Sequence, residues 1–270
     1  MNFSLKLREA SERNNSLLCI GLDADLEHVP RKFLVESNPI VYFNHAIIDV
    51  TRNLVCAYKL NLAFYESLGI PGIDALRRTV KYIPKDIAVI GDAKRSDIGN
   101  SARHYAKALF EVWNFDAATV NPYMGVDAVQ PFLDYRDKTT FVLCLTSNQG
   151  AEDFQLPEKL YLKVAQKIKE WNVYNNCGAV VGATHPEHVA EIRTIIEDAT
   201  MLVPGIGAQG GDLNQVVANG LNASGEGLII NVGRAIIYAS SGENFGEDIV
   251  KKTVEYRDAI NLARGQVRCE

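Results

Sequence analysis

Short apolar runs recur along this chain, and each is followed by a longer stretch whose apolar residues return every three or four positions. Eight such runs stand out: SLLCIGLD (16–23), LVCAYKLN (54–61), DIAVIGDAK (86–94), FDAATVN (115–121), TTFVLCLTS (139–147), CGAVVGAT (177–184), TMLVPGIG (200–207) and GLIINVGR (227–234). They are rich in Val, Ile and Ala, as strands buried on both faces should be. Helical spacing fills the intervals: IVYFNHAIIDVTRN, IDALRRTVKYI, NSARHYAKALFEVW, VDAVQPFLDY, PEKLYLKVAQKIKEW, PEHVAEIRTIIED, DLNQVVANG and the C-terminal EDIVKKTVEYRDAINLAR. The N-terminal MNFSLKLREASERNN is polar and also helical in pattern.

Eight alternating β/α units predict a closed parallel (β/α)8 TIM barrel, with residues 1–270 forming a single domain. An open, doubly wound sheet would usually carry fewer units or a second domain. Trp113 and Trp171 fall at helical spacing and are expected to pack helices on the barrel.

Composition changes this picture little. Of 270 residues, 47% are apolar and 23% charged, enough for a sizeable core. The net charge of −5 argues against a nucleic-acid polymer as partner, because such a surface needs a clustered basic excess. A small anionic ligand is still allowed, since a few local cations can hold a phosphate. No run reaches membrane-spanning length and the N-terminus lacks an apolar signal core, so a cytoplasmic location with no membrane partner is expected. The five cysteines, at 19, 56, 144, 177 and 269, are odd in number and lack C-x-x-C spacing. They read as small buried hydrophobes rather than a disulfide framework or thiolate metal site.

Barrel chemistry sits where strands end and βα loops begin. The polar residues there are Asp23, Lys59, Asp92, Lys94, Asn121, Ser147, the glycine run 205–211 and Arg234. The second run closes on Tyr58-Lys59-Leu60-Asn61 and the third on Gly91-Asp92-Ala93-Lys94-Arg95-Ser96-Asp97. In an extended chain residues i and i+2 share a face, so Asp92 and Lys94 are expected to point together into the barrel mouth beside Lys59. That makes an alternating array of cations and anions. The same residues also fit a structural ion-pair network, with Asp97 acting as a helix N-cap.

At the other side of the mouth, PGIGAQGGD (204–212) follows the seventh run and NVGRA (231–235) the eighth. Glycine-rich backbone, a helix N-terminus, the Gly233 N–H and the Arg234 fork suit a phosphate, and these two loops are its usual place in such barrels. Gly205-x-Gly207-x-x-Gly210 superficially fits a dinucleotide fingerprint, but only one strand follows it, so no βαβαβ half exists to carry one. His185 and His188 could bind a metal, but no third ligand is evident nearby.

The segment DAKRSDIG, with its D-x-K-x-x-D-I pattern, resembles the signature of the orotidine 5'-phosphate decarboxylase family, longer-chain subgroup. The likeness extends through GLDAD, YKLN, LTSNQGAE, PGIGAQGGD and NVGRAI, in order and each on the expected strand. It implies a lyase that converts orotidine 5'-monophosphate to UMP and CO2 without cofactor or metal, at the last step of de novo pyrimidine nucleotide biosynthesis. The family's Lys-Asp-Lys-Asp tetrad falls on Lys59, Asp92, Lys94 and Asp97. The resemblance further implies a homodimer in which Asp97 and Ser101 reach into the neighbouring site. It assigns Asp23 and Lys59 to ribose hydroxyls, Ser147 to the pyrimidine amide edge, and Gln209, Gly233 and Arg234 to the 5'-phosphate under a closing 205–211 loop. Three positions depart from the family: Gly99 stands where many members have Pro, Ser101 where many have Thr, and Ser96 where Gly is common.

Two rival readings stand beside this one. A Mg-dependent sugar-phosphate decarboxylase or synthase of the same suprafamily also carries D-x-K-x-x-D, with a ribulose-phosphate-type isomerase more distant. The other rival is a catalytically silent nucleotide-binding barrel, whose usual mark would be loss of Lys94 or Asp92.

Overall fold

Each apolar run contains one strand: β1 Leu18–Gly21, β2 Ala57–Asn61, β3 Ala88–Arg95, β4 Ala117–Val120, β5 Thr139–Leu145, β6 Cys177–Val181, β7 Met201–Pro204 and β8 Leu228–Val232. The computed structural model describes residues 2–184, 186–206 and 212–267. Every strand pairs in parallel with the next, and β8 closes on β1 through Leu18↔Ile230 and Cys19↔Asn231. The result is the expected (β/α)8 barrel.

The helices that cover it are Pro39–Thr51, Gly69–Tyr82, Gly99–Lys107, Val126–Leu133, Leu160–Trp171, Pro186–Ile196, Leu213–Gly220 and Phe245–Val267. The stretch expected as one helix over 100–113 leaves α geometry at Lys107 and ends in a π turn, Ala108–Val112. Single-turn helices at Arg31–Leu34, Leu62–Glu66, Ala151–Phe154 and Arg234–Ile237 are too short to show a period in the sequence. Trp113 and Trp171 are partly buried against the core, as their spacing implies.

Two apolar cores result. The larger lies between barrel and helices, while the smaller fills the barrel with Cys19, Ala57, Ile90, Ala117, Phe141, Val180, Leu202 and Ile229. The helix Phe3–Asn14 closes one end of this interior: Phe3 packs edge-on against Phe141, and Leu7 joins the same cluster. Lys6 holds that helix in place by donating to Asp116, at 2.8 Å, just before β4. Each fully buried Phe or Ile contributes about 1.5–3 kcal/mol relative to an exposed one, so apolar packing adds to this ion pair in holding the plug.

Sequence pattern gave no hint of Arg193, which is buried and donates to the carbonyls of Gly220, Glu197, Ala199 and Gly227. It ties helix ends to the starts of β7 and β8, and its burial lowers the guanidinium pKa to about 10. Among the described residues, no helix is long and apolar enough to cross a membrane.

Candidate active site

The mouth of the barrel holds one carboxylate between two ammonium groups. Lys59 Nζ lies 3.1 Å from Asp92 Oδ2, and Lys94 Nζ lies 2.7 Å from Asp92 Oδ1. Asp23, just beyond β1, completes the group at 3.4 Å from Lys59 Nζ, and its Oδ1 accepts the Asn61 N–H. In register Lys59 faces Ile90 and Asn61 faces Asp92, so the long lysine side chain reaches two register positions further along the strands to meet the carboxylate. Lys59 is buried, whereas the Lys94 side chain is 48% exposed at the open end. The buried lysine can hold position; the exposed one can meet a ligand and exchange protons with solvent.

Asp92 and Lys94 converge as expected, but not because the chain is extended. Lys94 has φ +47°, a left-handed conformation that costs a non-glycine residue on the order of 1–3 kcal/mol. The β3–β4 register jumps from Gly91↔Ala118 to Arg95↔Val120, so residues 92–94 bulge opposite the single residue Thr119. The bulge turns the Lys94 side chain back onto Asp92. Thr119, which sequence reasoning passed over, donates its hydroxyl to Asp92 Oδ1 at 2.8 Å and accepts the Lys94 N–H at 2.9 Å.

Two groups of the array, Lys59 and Asp92, are shifted by their surroundings. Burial disfavours the Lys59 ammonium, yet Asp23 and Asp92 overcome it and hold the group above its ordinary pKa. Burial also pushes the Asp92 carboxyl up, but Lys59, Lys94 and the Thr119 hydroxyl hold it well below the usual carboxylate range. Desolvation offsets most of the Coulomb gain in such buried pairs, so the intact array adds little net stability.

Two further polar groups border it. Asn231 on β8 is buried, and its Oδ1 has no hydrogen-bond partner among the described residues. A Cβ at Gly21 would lie 3.4 Å from both this oxygen and Asp23 Oδ2, which places Asn231 beside the array. Ser147, half-buried after β5, sits where only glycine fits opposite: a Cβ at Gly182 would come within 2.7 Å of the Ser147 backbone nitrogen. The preceding residue, Thr146, is anchored through its N–H to Gln155 Oε1 at 2.7 Å.

Gly233 and Arg234 follow β8, with Arg234 exposed at the start of its single-turn helix. Gln209 and the glycines at 207, 210 and 211 lie outside the described residues, as does His185. Asp212 caps the helix Leu213–Gly220 by accepting the Gln215 N–H.

Asp97 does not join the array of its own chain. Its carboxylate accepts the Ile98 N–H at 2.7 Å, and among the described residues it forms no ion pair. Nor is it the helix N-cap: Ile98 holds that position, and no side chain caps the helix Gly99–Lys107. The chain enters the helix through Gly99 at φ +55°, a left-handed conformation closed to proline. Ser101 is exposed on that helix. Arg95 fixes the approach to it, pairing with Glu66 and lying over the Tyr105 ring. Asn121, after β4, accepts the Tyr123 N–H in a tight turn and donates its own N–H to the Arg95 carbonyl.

Other candidates play no part in the mouth. Cys19, Cys56, Cys144 and Cys177 are buried free thiols, and burial pushes Cys56 and Cys177 up to about 12. His188 lies 3.0 Å from the Tyr161 hydroxyl and 3.2 Å from Glu191 on the outer helices. Among the described residues, no group of three or more His, Cys, Asp or Glu is placed to hold a metal ion.

A parallel barrel whose strand ends enclose a Lys–Asp–Lys array has a charged mouth on the face where barrel enzymes carry their chemistry. Comparison with known proteins narrows the class. Residues 16–249 match the Orotidine 5'-phosphate decarboxylase / HUMPS family, and the chain belongs to that family. An orotidine 5'-phosphate decarboxylase of Dehalococcoides mccartyi is 45% identical over 272 residues, covering 98% of this chain and 99% of its own. The enzyme of that name from Herpetosiphon aurantiacus is 49% identical over 251 residues, covering 91% of this chain and 92% of its own. Among solved structures, Leishmania donovani OMP decarboxylase superposes with a TM-score of 0.86 at 38% identity, covering 98% of this chain and all of the other.

Proposed function

We propose that this protein converts orotidine 5'-monophosphate to UMP and CO2, the last step of de novo pyrimidine nucleotide biosynthesis. The observation that carries the reading is the pair of lysines held on Asp92 at the barrel mouth. Relatives named as decarboxylases at 45% and 49% identity favour it over the sugar-phosphate branch of the family.

The chemistry follows from the charges. Breaking the bond from C6 to the carboxylate leaves an electron pair in the ring plane, where the ring carbonyls cannot delocalise it. Stabilisation then falls to preorganised protein charge in a site that excludes water. The Lys94 ammonium supplies that charge and gives its proton to C6 as CO2 departs; the neutral amine recovers a proton from solvent. Asp92 holds the Lys94 ammonium in place and faces the substrate carboxylate. Two like charges about 4 Å apart at an effective dielectric near 20 repel by roughly 4 kcal/mol, a repulsion relieved as CO2 leaves. Binding of the remote phosphate by Arg234, Gly233 and Gln209 must offset it. Asp23 and Lys59 take the ribose hydroxyls, and Ser147 the pyrimidine edge.

The working unit in this reading is a homodimer, with Asp97 and Ser101 serving the neighbour's site. Three features support it: Asp97 stands apart from its own array, Ser101 is exposed, and Ile98, Tyr105, Tyr123 and Met124 expose apolar surface near the same rim. Buried, unpaired thiols fit a reducing cytoplasm.

The test is optical. Mixing the purified protein with orotidine 5'-monophosphate should change the ultraviolet absorbance as UMP forms, equally with and without EDTA. No turnover of this substrate overturns the reading, and activity abolished by EDTA points instead to the metal-dependent sugar-phosphate enzymes.

A further inference from the structure

We propose that Thr119 is a positioning residue for the reaction: its one hydroxyl fixes the Asp92 carboxylate and the Lys94 backbone together. The inference rests on the decarboxylase reading and adds to it a residue outside the charged array.

The argument begins with the register. Between Gly91↔Ala118 and Arg95↔Val120, β3 has residues 92–94 and β4 has Thr119 alone. A bulge of this kind frees backbone groups from the ladder, and a buried N–H left unpaired is costly. The Lys94 N–H finds its partner in Thr119 Oγ1 at 2.9 Å. Threonine is thus the side chain that accepts what the bulge releases.

Direction follows from the chemistry of a hydroxyl. Thr119 carries one hydroxyl proton, and an amide N–H can only donate. Since Lys94 N donates to Oγ1, the threonine proton is free to point at Asp92 Oδ1, 2.8 Å away. Asp92 then receives Lys94 Nζ and Thr119 on Oδ1 and Lys59 Nζ on Oδ2. Lys94, its side chain half exposed, can move and gives up its proton in the proposed step; the hydroxyl of a buried, β-branched residue 1% exposed keeps its place. The carboxylate therefore keeps its orientation while Lys94 delivers a proton, and the left-handed turn at Lys94 stays in place for the next cycle.

Valine has the same shape without the hydroxyl, and serine keeps the hydroxyl without the methyl. With orotidine 5'-monophosphate as substrate, Thr119→Val should lower kcat by about tenfold or more, as expected for losing a hydrogen bond to a charged group, with a much smaller change in KM. Thr119→Ser should stay within about threefold of wild type, because the donor and acceptor remain. Should valine fail to fold, Thr119→Ala is read by the same criteria, with UMP binding as the check on folding. A hydroxyl-free variant with wild-type kcat, a loss confined to KM, or a serine variant as impaired as valine overturns the inference. Wild-type protein that does not decarboxylate overturns the proposed function instead, and the two failures are read from different samples.

Discussion

The Lys94 ammonium lies 2.7 Å from Asp92 Oδ1 even though its own backbone is left-handed and two residues further along the chain. A flexible lysine at the end of a regular strand would sample solvent. Here the bulge returns it to the carboxylate, so the proposed proton donor is held in one place before substrate arrives.

Lys94→Ala should nearly abolish decarboxylation while UMP still binds within about tenfold of wild type, because the lost interaction acts chiefly in the transition state. Turnover and UMP affinity measured on one preparation check this. Turnover at the wild-type rate would remove Lys94 as proton donor.

Arg234→Ala should weaken UMP binding by about tenfold or more and leave uridine binding nearly unchanged, since a guanidinium fork matches phosphate oxygens. Calorimetric titration with the two ligands decides it; equal losses for both would detach Arg234 from the phosphate.

Lys59→Met removes the cation that compensates two carboxylates, Asp23 and Asp92. Breaking a buried pair on one side costs about 3–5 kcal/mol, read from urea denaturation at neutral pH. An unchanged midpoint would mean that water reaches these carboxylates in the folded protein.

Acid sensitivity should arise partly at His45. Its ring stacks on Tyr82 with centroids 3.6 Å apart, and its Nε2 is buried without a partner among the described residues. Burial lowers its pKa from the ordinary value, with Arg78 and Asp49 as the nearby charges. A base lowered on folding favours the native state above its unfolded pKa, and this contribution fades as pH falls through the folded value. Between about pH 7 and about pH 5, His45→Phe should therefore lose less Tm than wild type. Equal losses would place the acid sensitivity in other groups.

If sites are shared, Lys94→Ala and Asp97→Ala chains should complement one another. Each variant alone is inactive, but random mixed dimers contain one site with both residues intact, restoring about a quarter of wild-type activity. A coexpressed mixture no more active than its parents would make each chain's site self-contained.

Sequence reasoning located every strand, because a strand buried on both faces must be apolar throughout and its polar end is then conspicuous. Asp23, Lys59, Asp92 and Lys94 were legible for that reason. Thr119 and Asn231 were not: a threonine or asparagine near the end of an apolar strand looks the same whether it fills space or meets a charge. Gly182 likewise reads as one more small strand residue until Ser147 is seen packed against it.

The chain by itself therefore determined the barrel and which charges line its mouth, since periodicity and composition are properties of consecutive residues. Only the tertiary structure decided how those charges are held. The slip between β3 and β4, the left-handed Lys94 and the hydroxyl bridging both depend on register between separate strands, set by the packing of the closed sheet.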